Sequence, residues 1–326
     1  MSKNDDSSNV PTVSPTASLI APRLIESAGL RAKQRFFEFF TATIRNRNTR
    51  EAYARALSDF FAWCDDHGFE LLAIEPIVVA SYIEYLGAIY SSPTVKQHLA
   101  AIRMCFDWLV VGQILPMNPA SAVRGPKHVV KRGKTAVLSA AEARQLLDSI
   151  DCSTAVGLRD RALIGLMVYS FARVSAVLGM RVNDYYRLGK RSYFRLHEKG
   201  GKFHEVPAHH NAEEYLDAYL EVAGLSVDPT GPLFRTAAGR SGLLTANPMT
   251  RQDVFRMVKR RARRADVSER ISCHTFRATG ITAYLENGGT IEKAQAIAAH
   301  ESPRTTKLYD RTGDELTLDE IERILI

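Results

Sequence analysis

Ser272-Cys273-His274-Thr275-Phe276-Arg277-Ala278-Thr279-Gly280 is the stretch from which the rest of the chain becomes readable. Ser272 is a helix N-cap residue type. His274 and Arg277 stand at i, i+3, so they share one face of the helix that begins here. The N-terminal end of a helix favours an anion, and a guanidinium there can grip a phosphate bidentately. Taken alone, an H-x-x-R is common by chance and describes a surface helix. Its neighbours downstream change that. Ala298-Ala299-His300 closes one helix, Ser302-Pro303 opens another, and Tyr309 follows. The intervening turn brings His300 and Tyr309 near each other. A lone tyrosine is more often a packing residue than a nucleophile.

The second half of the chain begins near Val137, with Leu138-Ser139 starting a helix. A second helix is expected over roughly 157–180. Its apolar run, Ala162 to Ala172, is too short to cross a bilayer and suits a buried helix. Ser192 to His197 alternates as a strand, Glu198 to Lys202 contains a glycine turn, and Phe203 to Val206 returns. Further helices are expected near 210–223, 251–265, 273–286, 290–299 and 303–310. In the first half only helices are read, near 30–46, 48–66, 76–88 and 93–111. Tyr53, Leu57, Phe60 and Phe61 make one apolar face, and Val95, Leu99, Ile102, Phe106 and Leu109 another. Ser92-Pro93 reads as an N-cap followed by proline at the first helical position. The class is mainly α with a small antiparallel β-sheet.

The chain has 326 residues, which implies two domains or one large one. The expected division is a disordered tail over 1–25, a helical bundle over 26–123, a basic linker over 124–136 and a second domain over 137–326. The linker carries Lys127, Lys131, Arg132 and Lys134 with no acid. Net charge is +7, and all of it lies after residue 126, because the first 126 residues balance to zero. An excess of this size leans toward a polyanionic partner and says nothing about fold. On the helix near 251–265, Arg256, Lys259, Arg260 and Arg263 form one stripe without an acid between them, a candidate phosphate track. Lys96 and Arg103 project off the apolar stripe of the helix near 93–111. Cys64, Cys105, Cys152 and Cys273 form no C-x-x-C pair and read as reduced thiols of an intracellular protein. There is no phosphate-binding G-x-x-x-x-G-K-[ST], no G-x-G-x-x-G opening a helix and no H-E-x-x-H. His209 and His210 are adjacent and make a poor zinc pair.

The ordered set resembles the tyrosine recombinase (phage integrase) family. Phe171-Ala172-Arg173-Val174-Ser175 is similar to its first arginine box. His197-Glu198-Lys199-Gly200-Gly201-Lys202, followed by Val206-Pro207, is similar to its hairpin lysine turn. Cys273 to Gly280 resembles its H-x-x-R box, and Ala299 to Tyr309 its final histidine-to-tyrosine segment. Asn48-Thr49-Arg50 and Tyr53 resemble the start of its N-terminal core-binding, SAM-like domain. The likeness covers about residues 26–316.

That resemblance implies a site-specific DNA recombinase or integrase, with an α+β catalytic domain. Its implied catalytic set is Arg173, Lys199, His274, Arg277, His300 and Tyr309. The tyrosine would attack a DNA phosphodiester and form a 3′-phosphotyrosine bond. The two arginines would hold the phosphate oxygens, and Lys199, chosen over Lys202 because it begins the turn, would protonate the leaving oxygen. The family needs neither a metal nor another cofactor. Its members act on double-stranded DNA as tetramers built from two dimers, in the cytoplasm with the nucleoid, in some cases with a DNA-bending or partner recombinase. No membrane partner is implied. The family usually carries an acid three residues after the first arginine, and here that position is Ala176. That departure motivates the alternative of a DNA-binding protein of the same fold without catalysis. A type IB topoisomerase is a further alternative of shared chemistry. The amphipathic segment from Leu318 to Ile326 is expected to dock on a neighbouring protomer.

Overall fold

The computed structural model describes residues 20–128, 133, 135–198, 203–239 and 241–310. The chain divides into two compact units, residues 1–129 and 130–326.

The first unit is helical: α1 (Arg23–Ser27), α2 (Leu30–Glu38), α3 (Arg47–Asp66), α4 (Pro76–Ile89) and α5 (Ser92–Val111). Two expectations need correction. The chain is ordered before residue 26, because Leu24 and Ile25 of α1 are buried in the bundle core. The helix expected over 30–46 changes to a π-turn at Phe39–Thr43, which carries both Phe39 and Phe40 inward. The core is strongly aromatic. Phe36, Phe40, Phe60, Phe61, Tyr82 and Phe106 meet mostly edge-to-face at ring separations between 5.1 and 6.2 Å. Such pairs add roughly 0.5–1.5 kcal/mol each beyond their area burial. Asn46 caps α3 by accepting from the Thr49 N–H. The cap of α5 is Ser91, one residue earlier than expected.

The second unit contains α6 (Ala140–Asp148), α7 (Ala155–Tyr169), α8 (Val174–Leu178), β1 (Tyr185–Leu188), β2 (Arg191–His197), β3 (Phe203–Pro207), α9 (His210–Ala223), β4 (Arg235–Ala237), β5 (Leu244–Pro248), α10 (Arg251–Arg264), α11 (Cys273–Glu286), α12 (Ile291–Ile297) and α13 (Pro303–Lys307). Strands β1-β2-β3 form an antiparallel sheet with Tyr193 opposite Pro207, and β4 pairs with β5. Neither β1 nor the β4–β5 pair was read from the sequence. Ser139 caps α6 in a reciprocal capping box with Glu142.

The single helix expected over 157–180 is two. It stops at Tyr169 and resumes at Val174. Phe171 between them has φ +54°, a left-handed conformation that a bulky residue rarely adopts. This break puts Arg173 at the N-cap of α8 rather than inside a helix. Helix α11 packs closely on the break. A Cβ at Gly280 would come within 2.0 Å of the Val168 carbonyl oxygen and 2.8 Å of the Phe171 ring, so only glycine fits there.

A buried ion cluster ties α7 to α10. Asp160 accepts from Arg159 Nε and Nη2 at 3.0 and 2.6 Å, and from Arg261 Nε and Nη2 at 3.0 and 2.7 Å. Among the described residues no helix is long and apolar enough to cross a membrane.

Candidate active site

The site is built from the ends of four elements of the second unit. Helix α11 supplies His274 and Arg277, one turn apart. The α7–α8 break supplies Arg173. The turn after α12 supplies His300, and the residues after α13 supply Tyr309.

Arg277 is almost wholly buried. It spends one Nη on the Phe171 carbonyl and the other, at 2.6 Å, on the Ala298 carbonyl. Both acceptors adjoin left-handed turns, since Phe171 and Ala299 have φ +54° and +47°. Such residues cost on the order of 1–3 kcal/mol each and persist only where surroundings hold them. Arg277 is therefore the tie that holds the arginine turn and the His300 turn in place. Its Nε has no hydrogen-bond partner among the described residues. A guanidinium has five N–H donors, of which these two carbonyls take two, and the Tyr309 side chain is a further hydrogen-bonding neighbour. Burial, then the neighbouring Arg173, lowers the Arg277 pKa to about 10, while Tyr309 and Glu198 work in the opposite direction. The group stays charged at neutral pH.

The Tyr309 hydroxyl contacts His274 Nε2 at 3.0 Å. The Tyr309 ring lies parallel to that of His300, centroids 5.8 Å apart. Its backbone carbonyl accepts from Thr282 Oγ1 at 2.9 Å, and the Leu308 carbonyl accepts from the Gly133 N–H at 3.0 Å. The segment is thus held from both sides.

His274 titrates below the usual histidine range because it is buried and faces Arg277 and Arg173. The same causes, with His274 added, push His300 down to about 3. Both rings are neutral at physiological pH. His300 Nδ1 meets the buried Thr306 hydroxyl at 2.9 Å. If that hydroxyl donates, Nε2 carries the proton and becomes a donor toward the site.

Arg173 is only half-buried, and its Nη1 donates to Glu198 Oε2 at 2.6 Å. Glu198 was not singled out from the sequence. Its contact joins residues 25 positions apart on different elements, and no local pattern marks it. Ala176 is buried in the core of the unit. Lys199 lies outside the described residues. Five of the six residues implied as catalytic are thus described, and they share one locality.

The implied DNA-contact residues fare unevenly. Lys96 and Lys127 are exposed. Arg103 does not project freely, because its guanidinium donates to the Ala120 and Val123 carbonyls and fastens the end of the first unit. The stripe on α10 is not bare either. Arg256 pairs with Asp253 at 2.7 Å, Arg260 with Asp160 at 3.2 Å, and Arg263 with Glu269 at 3.5 Å. Lys259 donates to the Glu269 carbonyl and sits over the Phe255 ring. Asp253 comes from the first turn of α10 itself, and Asp160 and Glu269 reach the stripe from elsewhere in the fold. Lys131, Arg132, Lys134 and the segment from Leu318 lie outside the described residues. The four cysteines form no disulfide, and no group of three or more His, Cys, Asp or Glu among the described residues is arranged to hold a metal ion.

Two family models match. Residues 136–315 match the phage integrase family, and residues 34–112 match the phage integrase N-terminal SAM-like domain. The tyrosine recombinase XerD of Ralstonia nicotianae is 29% identical over 272 residues, covering 82% of this chain and 85% of that protein. XerD of Pseudomonas aeruginosa is 27% identical over 266 residues, covering 80% and 86%. Among solved structures, XerH recombinase bound to difH substrate in a pre-cleavage complex aligns with TM-score 0.67 at 17% identity, covering 93% of this chain and 96% of that one. A lambda integrase dimer (residues 75–356) bound to a COC′ core site aligns with TM-score 0.65 at 18% identity, covering 88% and 98%.

Proposed function

The chain belongs to the phage integrase family of site-specific tyrosine recombinases, enzymes that cut and rejoin DNA, and from that premise we propose that Tyr309 is its nucleophile. The observation that carries this is the 3.0 Å contact between the Tyr309 hydroxyl and a neutral His274, beside the buried cation Arg277.

A phenol with an ordinary pKa near 10 is a weak nucleophile at pH 7. His274 Nε2 accepts the phenolic proton as the Tyr309 oxygen attacks the scissile phosphorus. The new bond is a 3′-phosphotyrosine ester, and the bond to the 5′ oxygen breaks. Lys199 delivers a proton to that oxygen. Arg173 and Arg277 hold the non-bridging oxygens, whose negative charge grows in the pentacoordinate transition state. His300, neutral, donates from Nε2 to the same phosphate. Religation is the reverse, with the 5′ hydroxyl of another strand as attacker. One phosphate ester replaces another, so the bond energy is conserved and no nucleotide triphosphate is consumed.

A neighbouring structure supports a reading of the assembly. A lambda integrase tetramer is known on a Holliday junction. We assign this chain the same working unit, a tetramer of two dimers on double-stranded DNA in the cytoplasm, with Lys96, Lys127, Lys131, Arg132, Lys134 and the α10 stripe toward phosphates. The Leu318–Ile326 segment of one protomer would dock on the next. An apolar cavity of about 770 Å³ lined by Val168, Phe171, Val206, Tyr284 and Ile297 is a fitting seat for it.

The test is a nicked suicide substrate whose short 5′-hydroxyl fragment diffuses away after cleavage. Wild-type protein should accumulate a covalent complex that survives denaturant. A complex of equal yield in Tyr309→Phe would overturn the assignment of the nucleophile.

A further inference from the structure

We propose that Glu198 is a positioning residue for DNA cleavage, its buried carboxylate holding Arg173 from the protein side so that the rest of the guanidinium is left for the phosphate. This rests on the reading of Arg173 as a phosphate ligand.

The ion pair is lopsided. The Glu198 side chain is 8% exposed and that of Arg173 37%, with Nη1 and Oε2 2.6 Å apart. A carboxylate that merely capped the cation against solvent would be the more exposed partner, and here it is the less exposed one. Only Nη1 of Arg173 is committed to it. Arg173 also needs a tether. It stands at the N-cap of α8, its side chain makes no capping bond, and it follows the strained turn at Phe171. An untethered arginine gives up side-chain rotamer freedom when it is ordered. A pre-formed contact removes that cost before DNA arrives.

Charge gives a second reason. Arg173 and Arg277 oppose each other, and the field of Glu198 favours the charged form of Arg277. Helix α8 (Val174–Leu178) carries no acid for this purpose. Ala176, one turn beyond Arg173, is 1% exposed within the apolar core, where a carboxylate would lack water. The end of β2 packs beside α8 and supplies the carboxylate instead. Buried ion pairs are weak sources of stability, so a role in placing Arg173 accounts better for this one.

Glu198→Gln keeps the shape and removes the charge, and Glu198→Ala serves if the amide disturbs folding. Single-turnover cleavage of the suicide substrate at saturating DNA, the DNA dissociation constant and the melting temperature are measured side by side. The expected result is a cleavage rate about 10- to 100-fold lower, with dissociation constant and melting temperature nearly unchanged. A rate within twofold of wild type, or a faster one, overturns the proposal. So does a joint loss of rate, binding and melting temperature in both variants, which describes a purely structural pair. Tyr309→Phe is run alongside. Covalent complex persisting there would sink the reading of the site itself, a different failure from a normal rate in the Glu198 variants.

Discussion

Tyr309 and His274 meet hydroxyl to Nε2 at 3.0 Å, and burial first, then the cations Arg277 and Arg173, holds the histidine below its usual pKa. One arrangement thus serves two ends. In the proposed mechanism Arg277 and Arg173 supply positive charge for the transition state, and the same charge, added to burial, disfavours protonation of His274.

This fixes the sign of the pH dependence. His274 must be neutral to accept the Tyr309 proton. Its pKa lies below the usual 6.5, from burial first and then Arg277 and Arg173. Covalent-complex formation at sub-saturating DNA reports the free protein's groups. Its rate should hold steady as pH falls through 6.5 and decline only below it. His274→Gln should lose this acid limb along with most of the rate. A midpoint at or above 6.5 would remove His274 as the base. Stability follows the same sign. The unfolded chain binds protons below about 6.5 that folded His274 and His300 resist, so stability is full above that pH and falls as pH drops toward the folded value of about 3 for His300.

Arg277→Lys tests the tie between the two catalytic turns. Lysine keeps the charge but cannot reach both the Phe171 and Ala298 carbonyls in the planar geometry of a guanidinium. We expect cleavage to fall by about 100-fold or more, as for loss of a transition-state donor. We also expect the turns at Phe171 and Ala299 to loosen, read as faster amide hydrogen exchange there. Unchanged exchange at both turns would separate the chemical role of Arg277 from the structural one.

The sequence made some of this legible and concealed the rest for physical reasons. His274 and Arg277 share a helix, so their spacing alone put them on one face. Tyr309 and His300 could be paired because only a tight turn and the short helix α13 separate them. The break at Phe171 was hidden: the run from Ala162 to Ala172 contains no proline, and its apolarity suits one continuous helix. What stops the helix is tertiary, namely the Arg277 guanidinium on the Phe171 carbonyl and the close approach of Gly280. The protein partners of Arg103, Lys259 and Arg260 were hidden for a related reason. Periodicity gives the face of a helix, but the Val123 carbonyl, the Glu269 carbonyl and Asp160 come from elsewhere in the chain. The role of Glu198 has no local signature, because its contact with Arg173 exists only where the end of β2 lies beside α8.

Gly280→Ala should injure the site without touching a catalytic group. The added methyl would sit 2.0 Å from the Val168 oxygen, which is backbone and cannot rotate away, and 2.8 Å from the Phe171 ring. Relief requires α11 to move from the α7–α8 break, so His274 and Arg277 would part from Arg173. Overpacking of this kind costs typically about 1–3 kcal/mol. Denaturant unfolding should show that loss, and the cleavage rate should fall at saturating DNA. A rate and midpoint equal to wild type would mean that the close approach is not needed.

Asp160 offers a control remote in role from the chemistry. Its carboxylate is fully buried and takes four hydrogen bonds from Arg159 and Arg261, with Arg260 at 3.2 Å on one edge. Asp160→Asn leaves those buried cations facing an amide that accepts through one atom only. Breaking a buried pair from one side typically costs about 3–5 kcal/mol, because the remaining charge has neither water nor a counter-ion. Replacing Asp160, Arg159 and Arg261 together by apolar residues should cost much less than Asp160→Asn alone. Chemical unfolding of the single and triple variants measures the difference. If the single variant unfolds at the wild-type midpoint, the cluster is not what fastens α7 to α10. If it unfolds early while its folded fraction still cleaves at the wild-type rate, the cluster holds the scaffold and leaves the phosphate to Arg173 and Arg277.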